Sequence, residues 1–342
     1  MNTHFDNPLV EQRELLDGSR VVVLDDRAVI KVSGADRLTW LHAMLSQNLA
    51  NLKPGESADA LLLDANGRIE ENIAIVDDGE NSWLIVLEAH AAKLLVWLDQ
   101  MIFRSKVSVA AADDLQVVGS FGEPLAGSAI SNDLQLVWQD PWMAEPVASA
   151  RYAADLSKRG QWNFFLSLVS KASLDDVLAD CQQAGSLALE ALRVAAHRPA
   201  QPNEIDEKTL PHELDWLSSA VHLTKGCYRG QESVAKVHNL GHPPRRLTLL
   251  HLDGSGHALA DAGDKVFVSG TDTEIGHITS IGQHFELGPI ALAVLNRNVD
   301  EKASLFVRTE TGEVAANQET IVPPTAGQAA NMKEKRATLL GK

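Results

Sequence analysis

The segment Lys225–Ser233 reads KGCYRGQES and contains one of only two cysteines in a chain of 342 residues. Its two glycines permit a tight backbone turn, and Lys225 and Arg229 carry positive charge on either side of Cys227. Residues from Gln231 onward favour a helix, so we expect the cysteine just before a helix N-terminus. Both features favour the thiolate form. The segment therefore predicts an accessible, reactive thiol, against the alternative of an ordinary turn that contains a small residue.

Length and composition limit the kind of protein that this segment can belong to. A chain of 342 residues suggests two or three domains, and 45% hydrophobic with 22% charged residues is typical of a soluble globular protein. Two cysteines cannot build a disulfide framework, and the N-terminus lacks the order of a secretory signal, so we expect a cytoplasmic location. No apolar run suggests a membrane span. The net charge of −16 disfavours non-specific nucleic-acid binding, and an anionic ligand would need a local basic site.

Short β-rich runs alternate with helical runs in the first part of the chain, which indicates an α+β protein. Val21–Leu24 and Ala28–Val32, separated by three polar residues, are predicted to pair as a hairpin. Ala60–Leu63 and Ile69–Val76 are predicted to form a second hairpin across a glycine turn. These short connections favour strands that pair with their neighbours in the sequence.

The second part of the chain changes from helical to β-rich. Helices are predicted at Leu174–Gly185 and Leu187–Ala196, and Cys181 in the first is expected to pack as a small hydrophobe. Beyond Arg245 short β runs are separated by glycine turns, which is typical of a small barrel. Residues 323–342 lack apolar periodicity and predict a loose tail. The histidines near Cys227 lack the spacing of a metal-binding motif, so no metal site is predicted.

The block Val221–Gly241, VHLTKGCYRGQESVAKVHNLG, resembles the KGCYxGQE signature of the YgfZ family, folate-binding proteins related to the T-protein (aminomethyltransferase) of the glycine cleavage system. Three earlier blocks are similar to that family in the same order: Val32–Glu56, Leu61–Val76 with its glycine turn, and Leu189–Pro199. Together they extend the resemblance from about residue 20 to residue 320. The signature is long and specific, so the chain is identified as a member of this family.

The resemblance implies an α+β, T-protein-like fold, a ring of two α+β modules and a C-terminal small β-barrel around a channel. It implies a discontinuous first domain that carries the Cys227 segment, a second α+β domain, the barrel and a tail. The corresponding residues are 20–52 with 113–240, 53–112, 241–322 and 323–342. These boundaries are expectations from the family pattern.

The resemblance also implies a function. Members bind tetrahydrofolate or a folate derivative, which can carry a polyglutamate tail, and support iron-sulfur enzymes, including enzymes that thiolate tRNA. The partners implied are therefore folate and iron-sulfur enzymes or their assembly proteins, without direct contact to nucleic acid or membrane. Cys227 is the implied reactive thiol. The implied folate-binding residues are Lys225, Gly226, Tyr228, Arg229, Gln231 and Glu232 of the signature, Glu70 and Glu71 of the glycine-turn hairpin, and Arg27.

The residues themselves agree with an anionic ligand in part. A basic cluster is predicted from Lys225, Arg229, Lys236, Arg245 and Arg246, with scattered solvated charges as the alternative. Glu70 or Glu71 could accept hydrogen bonds from a pterin, and because neighbours on a strand face opposite ways, the sequence leaves open which one points inward.

The chain departs from the family at a few positions. It reads LRVAAHRP where T-proteins read LRxEAG, so Ala195 and His197 replace a glutamate and a glycine. Arg27 and Leu189 stand near positions where many YgfZ proteins have tryptophan, and Arg27 could stack or pair with a carboxylate instead. Three hypotheses follow: a folate-dependent accessory protein for iron-sulfur enzymes, a one-carbon (aminomethyl) transferase, and a non-catalytic folate sensor or interaction scaffold. The sequence leaves open whether the protein is an enzyme.

Overall fold

The computed structural model describes residues 2–146, 148–153, 157, 162–255 and 258–327. A first mixed sheet has its strands in the spatial order β10–β11–β7–β1–β12. These strands are β1 (Arg20–Leu24), β7 (Leu115–Phe121), β10 (Val137–Gln139), β11 (Phe164–Ser170) and β12 (Gln182–Gln183). Helices α1 (Pro8–Leu16) and α5 (Ser186–Ala195) pack with this sheet through the largest apolar cluster, which also reaches the C-terminal part of the chain. This sheet therefore belongs to the centre of the molecule.

A second sheet is antiparallel and has the order β3–β4–β5–β2–β6. Its strands are β2 (Arg27–Ser33), β3 (Ser57–Leu63), β4 (Ile69–Asp77), β5 (Asn81–Leu87) and β6 (Ser108–Ala111). Helices α2 (Arg37–Met44) and α3 (Glu88–Gln100) cover one face, and their apolar residues form a separate core with the sheet. The other face is turned toward the first sheet, since Trp83, Ile85 and Val76 belong to the central cluster.

Six strands after residue 244 close into a barrel in the order β13–β16–β15–β14–β17–β18, as predicted. They are β13 (Arg245–Leu252), β14 (Lys265–Val268), β15 (Glu274–His284), β16 (Gly288–Asn296), β17 (Leu305–Thr309) and β18 (Gly312–Thr320). The interior of the barrel is filled by its own apolar cluster. The mixed helix-and-strand fold with a C-terminal barrel is thus confirmed.

The remaining described elements are short. Helix α4 covers Leu174–Leu178 and helix α6 covers Gln231–Leu240, while β8 (Ile130–Ser131) and β9 (Leu134–Gln135) form a two-stranded hairpin. Single 3₁₀ turns occur at Pro141–Met143 and Pro211–Leu214. Among the helices in the described ranges, none is long and apolar enough to cross a membrane.

The predicted hairpin of Val21–Leu24 and Ala28–Val32 is wrong, because the two strands separate at the turn and enter different sheets. β1 pairs with β7 and β12, whereas β2 pairs with β5 and β6. Strand β2 consequently belongs to the second sheet. The domain boundaries stay predictions.

The predicted helix Leu174–Gly185 is also shorter in the structure. It ends at Leu178, and Gln182–Gln183 instead pairs in parallel with β1. Cys181 therefore lies in the connection rather than in a helix, but together with Val177 and Leu178 it packs as a small side chain against a buried apolar cluster, as expected. Of the predicted tail, residues 328–342 lie outside the described part of the chain.

Candidate functional site

Lys225 anchors the signature segment to the end of helix α2. Its buried ammonium group donates hydrogen bonds to the carbonyl oxygens of His42 and Leu45, which end that helix, and lies 4.8 Å from the centre of the Tyr228 ring. A cation at a helix C-terminus compensates carbonyl groups that lack partners within the helix. Burial nevertheless lowers the pKa of Lys225 to about 8. The lysine thus has a structural role, with its charge directed at α2.

Three further contacts fix the backbone of the segment. Tyr228 is buried in the central cluster, and burial raises the pKa of its hydroxyl. Gly230, with φ of 83°, lies directly on the turn before β4. The Gln231 side chain donates to the Lys225 carbonyl oxygen at 3.1 Å and so closes the loop at the start of α6. The segment is therefore a loop fixed by several contacts, and its position just before helix α6 is as the sequence predicts.

Cys227 is exposed at the outer side of this loop. Arg229 forms an ion pair with Glu70, with 2.8 Å between Nη1 and Oε2, and both side chains are about 40% exposed. Gly226 and Glu232 are exposed on the same loop. The thiol is accessible, but the two positive charges expected beside it are used elsewhere, by α2 and by Glu70.

The predicted basic cluster is wrong, because most of its members are committed to other partners. Besides Lys225 and Arg229, Arg245 forms ion pairs with Asp206 and Glu213. Arg246 is fully buried in the barrel and donates to Thr248 and Gln318. Lys236 alone of the five is an exposed side chain without a partner among the contacts of the described residues. A local basic patch at this loop is therefore not available to hold an anion.

Strand β4 separates the two candidate carboxylates onto opposite faces. Glu71 is buried toward α3, where its Oε2 lies 2.9 Å from Nδ1 of His90, and burial raises its pKa although His90 opposes this. Glu70 points the other way, toward Arg229. Asn72, two residues further on the Glu70 face, lines a large cavity. Neither glutamate lines that cavity itself.

The cavity, called the central cavity below, has a volume of about 400 Å³. It lies between β4 of the second sheet, β11 of the first sheet and helix α5, together with the segment after α5. One side consists of aromatic rings, those of Trp138, Trp162 and Phe164. A space of this size with apolar walls is typical of a site for a small molecule or cofactor.

Three arginines and their carboxylate partners supply the charges of the central cavity. Arg193 pairs with Glu190 at 2.6 Å, and Arg198 pairs with Asp140 at 3.0 Å. Burial would raise the pKa of Glu190, but Arg193 outweighs it and holds that pKa below its usual value. Within each pair the positive and negative charges compensate each other in the cavity wall.

Unlike Arg193 and Arg198, Arg27 has no close ion pair with a carboxylate of the central cavity. Its guanidinium is 3.7 Å from the Asp26 carboxylate, too long for a hydrogen bond, and the side chain keeps 27% of its exposure. Burial lowers the pKa of Arg27, and the positive charges of Arg193 and Arg198 lower it further. An anion that entered the cavity would therefore stabilise this cation.

Gln201 connects the central cavity to the loop of Cys227. Its amide donates to the Glu70 carbonyl oxygen at 3.0 Å, and its oxygen accepts from the Asn72 backbone at 2.9 Å. Glu70 in turn pairs with Arg229. The loop and the cavity are thus on adjoining parts of β4, although no residue of 225–233 is among the described residues that line the cavity.

Of the predicted site residues, only Arg27 therefore lines the central cavity. Sequence reasoning missed the aromatic wall of Trp138, Trp162 and Phe164. It also missed the buried pairs of Arg193 and Arg198. The residues LR and HRP around α5 were visible as a family block, but nothing in that pattern indicated which side chains face a cavity. Within the described ranges, no group of three or more His, Cys, Asp or Glu is arranged to hold a metal ion.

Comparison with known proteins finds similar sequences over most of the chain, although no protein-family model matches it. The tRNA-modifying protein YgfZ of Klebsiella pneumoniae is 26% identical over 303 residues, covering 86% of this chain and 90% of that protein. YgfZ of Shigella boydii is 24% identical, covering 84% and 88%. An aminomethyltransferase of Synechococcus is 26% identical, covering 76% of this chain and 75% of the relative.

A solved structure agrees with these sequences. The glycine cleavage system aminomethyltransferase T from Bartonella henselae superimposes with a TM-score of 0.71, covering 93% of this chain and 90% of that one at 18% identity. At that identity the likeness concerns the fold. The resemblance predicted from the sequence, to YgfZ proteins and the related aminomethyltransferases, is confirmed, and so is the T-protein-like α+β fold.

Proposed function

We propose that this protein binds a folate, tetrahydrofolate or a derivative of it, in the central cavity. In this proposal the protein is a cytoplasmic accessory factor in tRNA modification that supports iron-sulfur enzymes, with Cys227 as its reactive thiol. The observation that carries the proposal is one aromatic-walled cavity of about 400 Å³ that contains a guanidinium, Arg27, without a hydrogen-bonded carboxylate.

The chemistry of the cavity fits the two ends of a folate. A pterin and a benzoyl ring are flat and aromatic, and offset or edge contacts with Trp162 and Phe164 would stabilise them. The glutamate carboxylates are planar anions that a guanidinium can bind in a bidentate manner. Arg27 can supply that interaction, and a carboxylate beside it would also offset the repulsion from Arg193 and Arg198.

The amides of the cavity complete the fit. The side-chain oxygens of Asn72 and Asn203 can accept hydrogen bonds from the amino group of a pterin, while their amide groups donate to Asp59 and to Glu190 and Ser280. The family resemblance implies Glu70 and Glu71 as pterin contacts. In this proposal they would instead support the cavity wall from outside: the Glu70 backbone carbonyl accepts a hydrogen bond from Gln201, and the Glu71 carboxylate pairs with His90. Lys225, Gly226, Tyr228, Gln231 and Glu232 would hold the loop of Cys227 rather than the ligand.

Cys227 supplies the second part of the proposal. Its thiol is exposed on a loop that is fixed at both ends, so it can reach a partner protein without a change of fold. The similar YgfZ proteins are tRNA-modifying proteins, which supports tRNA modification as the process. Support of iron-sulfur enzymes comes from the family resemblance alone and is part of the proposal.

A titration with ligands that differ in their carboxylates tests folate binding. Pteroate lacks the glutamate, and folates with one and three glutamates add carboxylates stepwise. We expect wild-type protein to bind folate monoglutamate more tightly than pteroate by about 10-fold, and Arg27→Met to abolish this difference. Arg308→Met, which removes an exposed surface arginine of the barrel, is the matched control and should change nothing. A preference for the glutamate that survives in Arg27→Met would refute the assignment of Arg27.

An aminomethyl transferase is the second candidate, since an aminomethyltransferase shares both sequence and fold with this chain. Among the described carboxylates that line the cavity, Glu190 and Asp140 are each held by an arginine, so Asp26, 3.7 Å from Arg27, is the one that a transferase would use on a folate nitrogen. Methylene transfer from a lipoylated carrier protein to tetrahydrofolate would establish the transferase. Folate binding without any effect on Cys227, and without transfer, would instead leave a ligand sensor.

A further inference from the structure

Strand β6 forms a free edge of the second sheet. It is the last strand in the order β3–β4–β5–β2–β6, and it pairs with β2 in a regular register. Ser108, Ala110 and Ala111 on this strand are exposed. Its sequence, SVAA, contains no proline and no charge, the residues that usually protect an edge strand from pairing with another chain. The edge is therefore open to a further strand.

The opposite edge of the same sheet, strand β3, is covered by other parts of the chain. The Leu61 backbone N–H donates to the Ser46 hydroxyl at 2.8 Å, and the Leu61 carbonyl accepts from the Ser46 backbone N–H at 3.0 Å. The Trp138 indole N–H donates to the Ala58 carbonyl at 2.8 Å. Among the described residues, no comparable hydrogen bond reaches the outer side of β6. The two edges of this sheet are thus treated differently by the fold.

Val109 and Ala111 direct their backbone polar groups to the free side of β6. Opposite residues of an antiparallel pair alternate between those that exchange hydrogen bonds and those that do not. Just beyond the strand, the Ala112 N–H donates to the Val29 carbonyl at 2.9 Å, in the same register as the β6–β2 pairing. The even-numbered residues of β6 therefore bond to β2, and the N–H and C=O groups of the odd-numbered residues point outward.

Charges of opposite sign flank β6. Arg104 and Lys106 precede the strand, and Asp113 and Asp114 follow it. All four side chains are exposed, and none takes part in an ion pair of the described residues. An antiparallel partner strand from a second copy of the chain would bring the basic end of each β6 to the acidic end of the other. The edge is therefore complementary to itself in charge.

One register of such a pair satisfies both the backbone and the charges. When Val109 of one copy is opposite Ala111 of the other, the outward N–H and C=O groups of both residues find partners across a twofold axis. Lys106 is then opposite Asp114. Ala110 is opposite its own counterpart in a non-hydrogen-bonded pair, where Cα atoms come closest and a small side chain fits.

We propose that β6 is a docking edge for a second copy of this chain, which pairs with it in antiparallel orientation and continues the second sheet into the neighbouring molecule. Because the paired strands are short, the interface is small and the dimer is weak and concentration-dependent. The inference goes beyond folate binding and does not depend on it, since Ser108–Ala111 are not among the described residues that line the central cavity.

Sedimentation velocity of the full chain from about 5 to about 500 µM measures this dimer. We expect a monomer at the low end and a dimer at the high end, with a dissociation constant of about 10–100 µM. Ala111→Pro removes an outward N–H without breaking a bond to β2, and should weaken the dimer at least about 10-fold at an unchanged melting temperature. Ala111→Ser keeps that N–H and should dimerise like wild type. A monomer over the whole range, or an Ala111→Pro variant that dimerises like wild type, would overturn the proposal.

Charge reversal at the two ends of β6 tests the orientation, at exposed positions where the fold is not at stake. Arg104→Glu with Lys106→Glu makes both ends acidic, and this variant should be monomeric alone. Asp113→Lys with Asp114→Lys makes both ends basic, and this variant should also be monomeric alone. An equimolar mixture of the two should recover the dimer, because acidic and basic ends then face each other at both contacts. A mixture that stays monomeric, or either variant dimerising alone like wild type, would show that β6 does not carry the contact.

Discussion

Gly230 rests directly on Gly67, so that the loop of Cys227 and the turn between β3 and β4 touch through their backbones. A Cβ atom at residue 230 would lie 2.9 Å from the Gly67 Cα and 2.5 Å from the Asp64 carbonyl oxygen. Both glycines have positive φ, 83° and 77°. The contact joins two segments that are far apart in the sequence, and it leaves no room for a side chain.

Gly230→Ala should accordingly be more destabilising than its backbone conformation alone explains. Gly122→Ala is the matched control, because Gly122 has φ of 76° and nothing within 4 Å of its added Cβ. We expect the unfolding free energy to fall by about 1 kcal/mol in the control, from the backbone conformation alone. For Gly230→Ala we expect a fall of roughly 2–4 kcal/mol, because a steric clash is added. Urea unfolding measures both. Equal losses in the two variants would mean that the loop can move off the turn without cost.

Lys225 should make the stability of the fold depend on pH in the alkaline range. Its pKa is about 8 in the folded protein, against an ordinary value of 10.5. Between these values the unfolded chain binds a proton that the folded protein does not, so the unfolding free energy contributed by this group rises with pH. We expect the difference in unfolding free energy between wild type and Lys225→Met to shift in favour of wild type from pH 7.5 to pH 10. A difference that stays constant with pH would contradict the buried position of the ammonium group.

The two cysteines should react at different rates with a thiol reagent. Cys227 is exposed, whereas Cys181 is partly buried against the apolar cluster that contains Val21 and Val118. In native protein we expect one thiol to react rapidly and the second at least about 10-fold more slowly, with the difference lost after denaturation. Cys227→Ser should remove the fast phase and Cys181→Ser should leave it. Should Cys227 react no faster than a model peptide thiol, with or without tetrahydrofolate, the reactive-thiol part of the proposed function fails.

The sequence predicted those parts of the fold that depend on local pattern. The β3–β4 hairpin with its glycine turn, helix α5 and the barrel all follow from short-range periodicity and turn residues. The hairpin of residues 21–32 failed because partner choice is not local. β1 finds its neighbours near residues 119 and 182, and β2 finds its neighbours near residues 85 and 110. A short polar turn cannot report such distant pairings.

The site was less predictable for the same reason. The central cavity combines Arg27, Asn72, Trp162 and Arg198, which are brought together only by the packing of two sheets against α5. The loop of Cys227 was visible as a motif, and its exposure and its position before a helix agree with the prediction. The contacts of Lys225 could not be predicted from the sequence, because the carbonyl groups at the end of α2 that accept its hydrogen bonds are about 180 residues away in the chain.

Filling the central cavity tests the account most directly. Ala74 lines the cavity from β4, and Ala74→Trp would occupy space that a ligand needs, whereas Val96→Trp adds the same ring on the exposed side of α3. The melting temperatures of both variants check that the fold is intact. In calorimetric titrations with tetrahydrofolate, we expect Ala74→Trp to lose at least about 10-fold in affinity while Val96→Trp binds like wild type. A folded Ala74→Trp variant that binds tetrahydrofolate as tightly as wild type would contradict the central claim, that this cavity is the folate site.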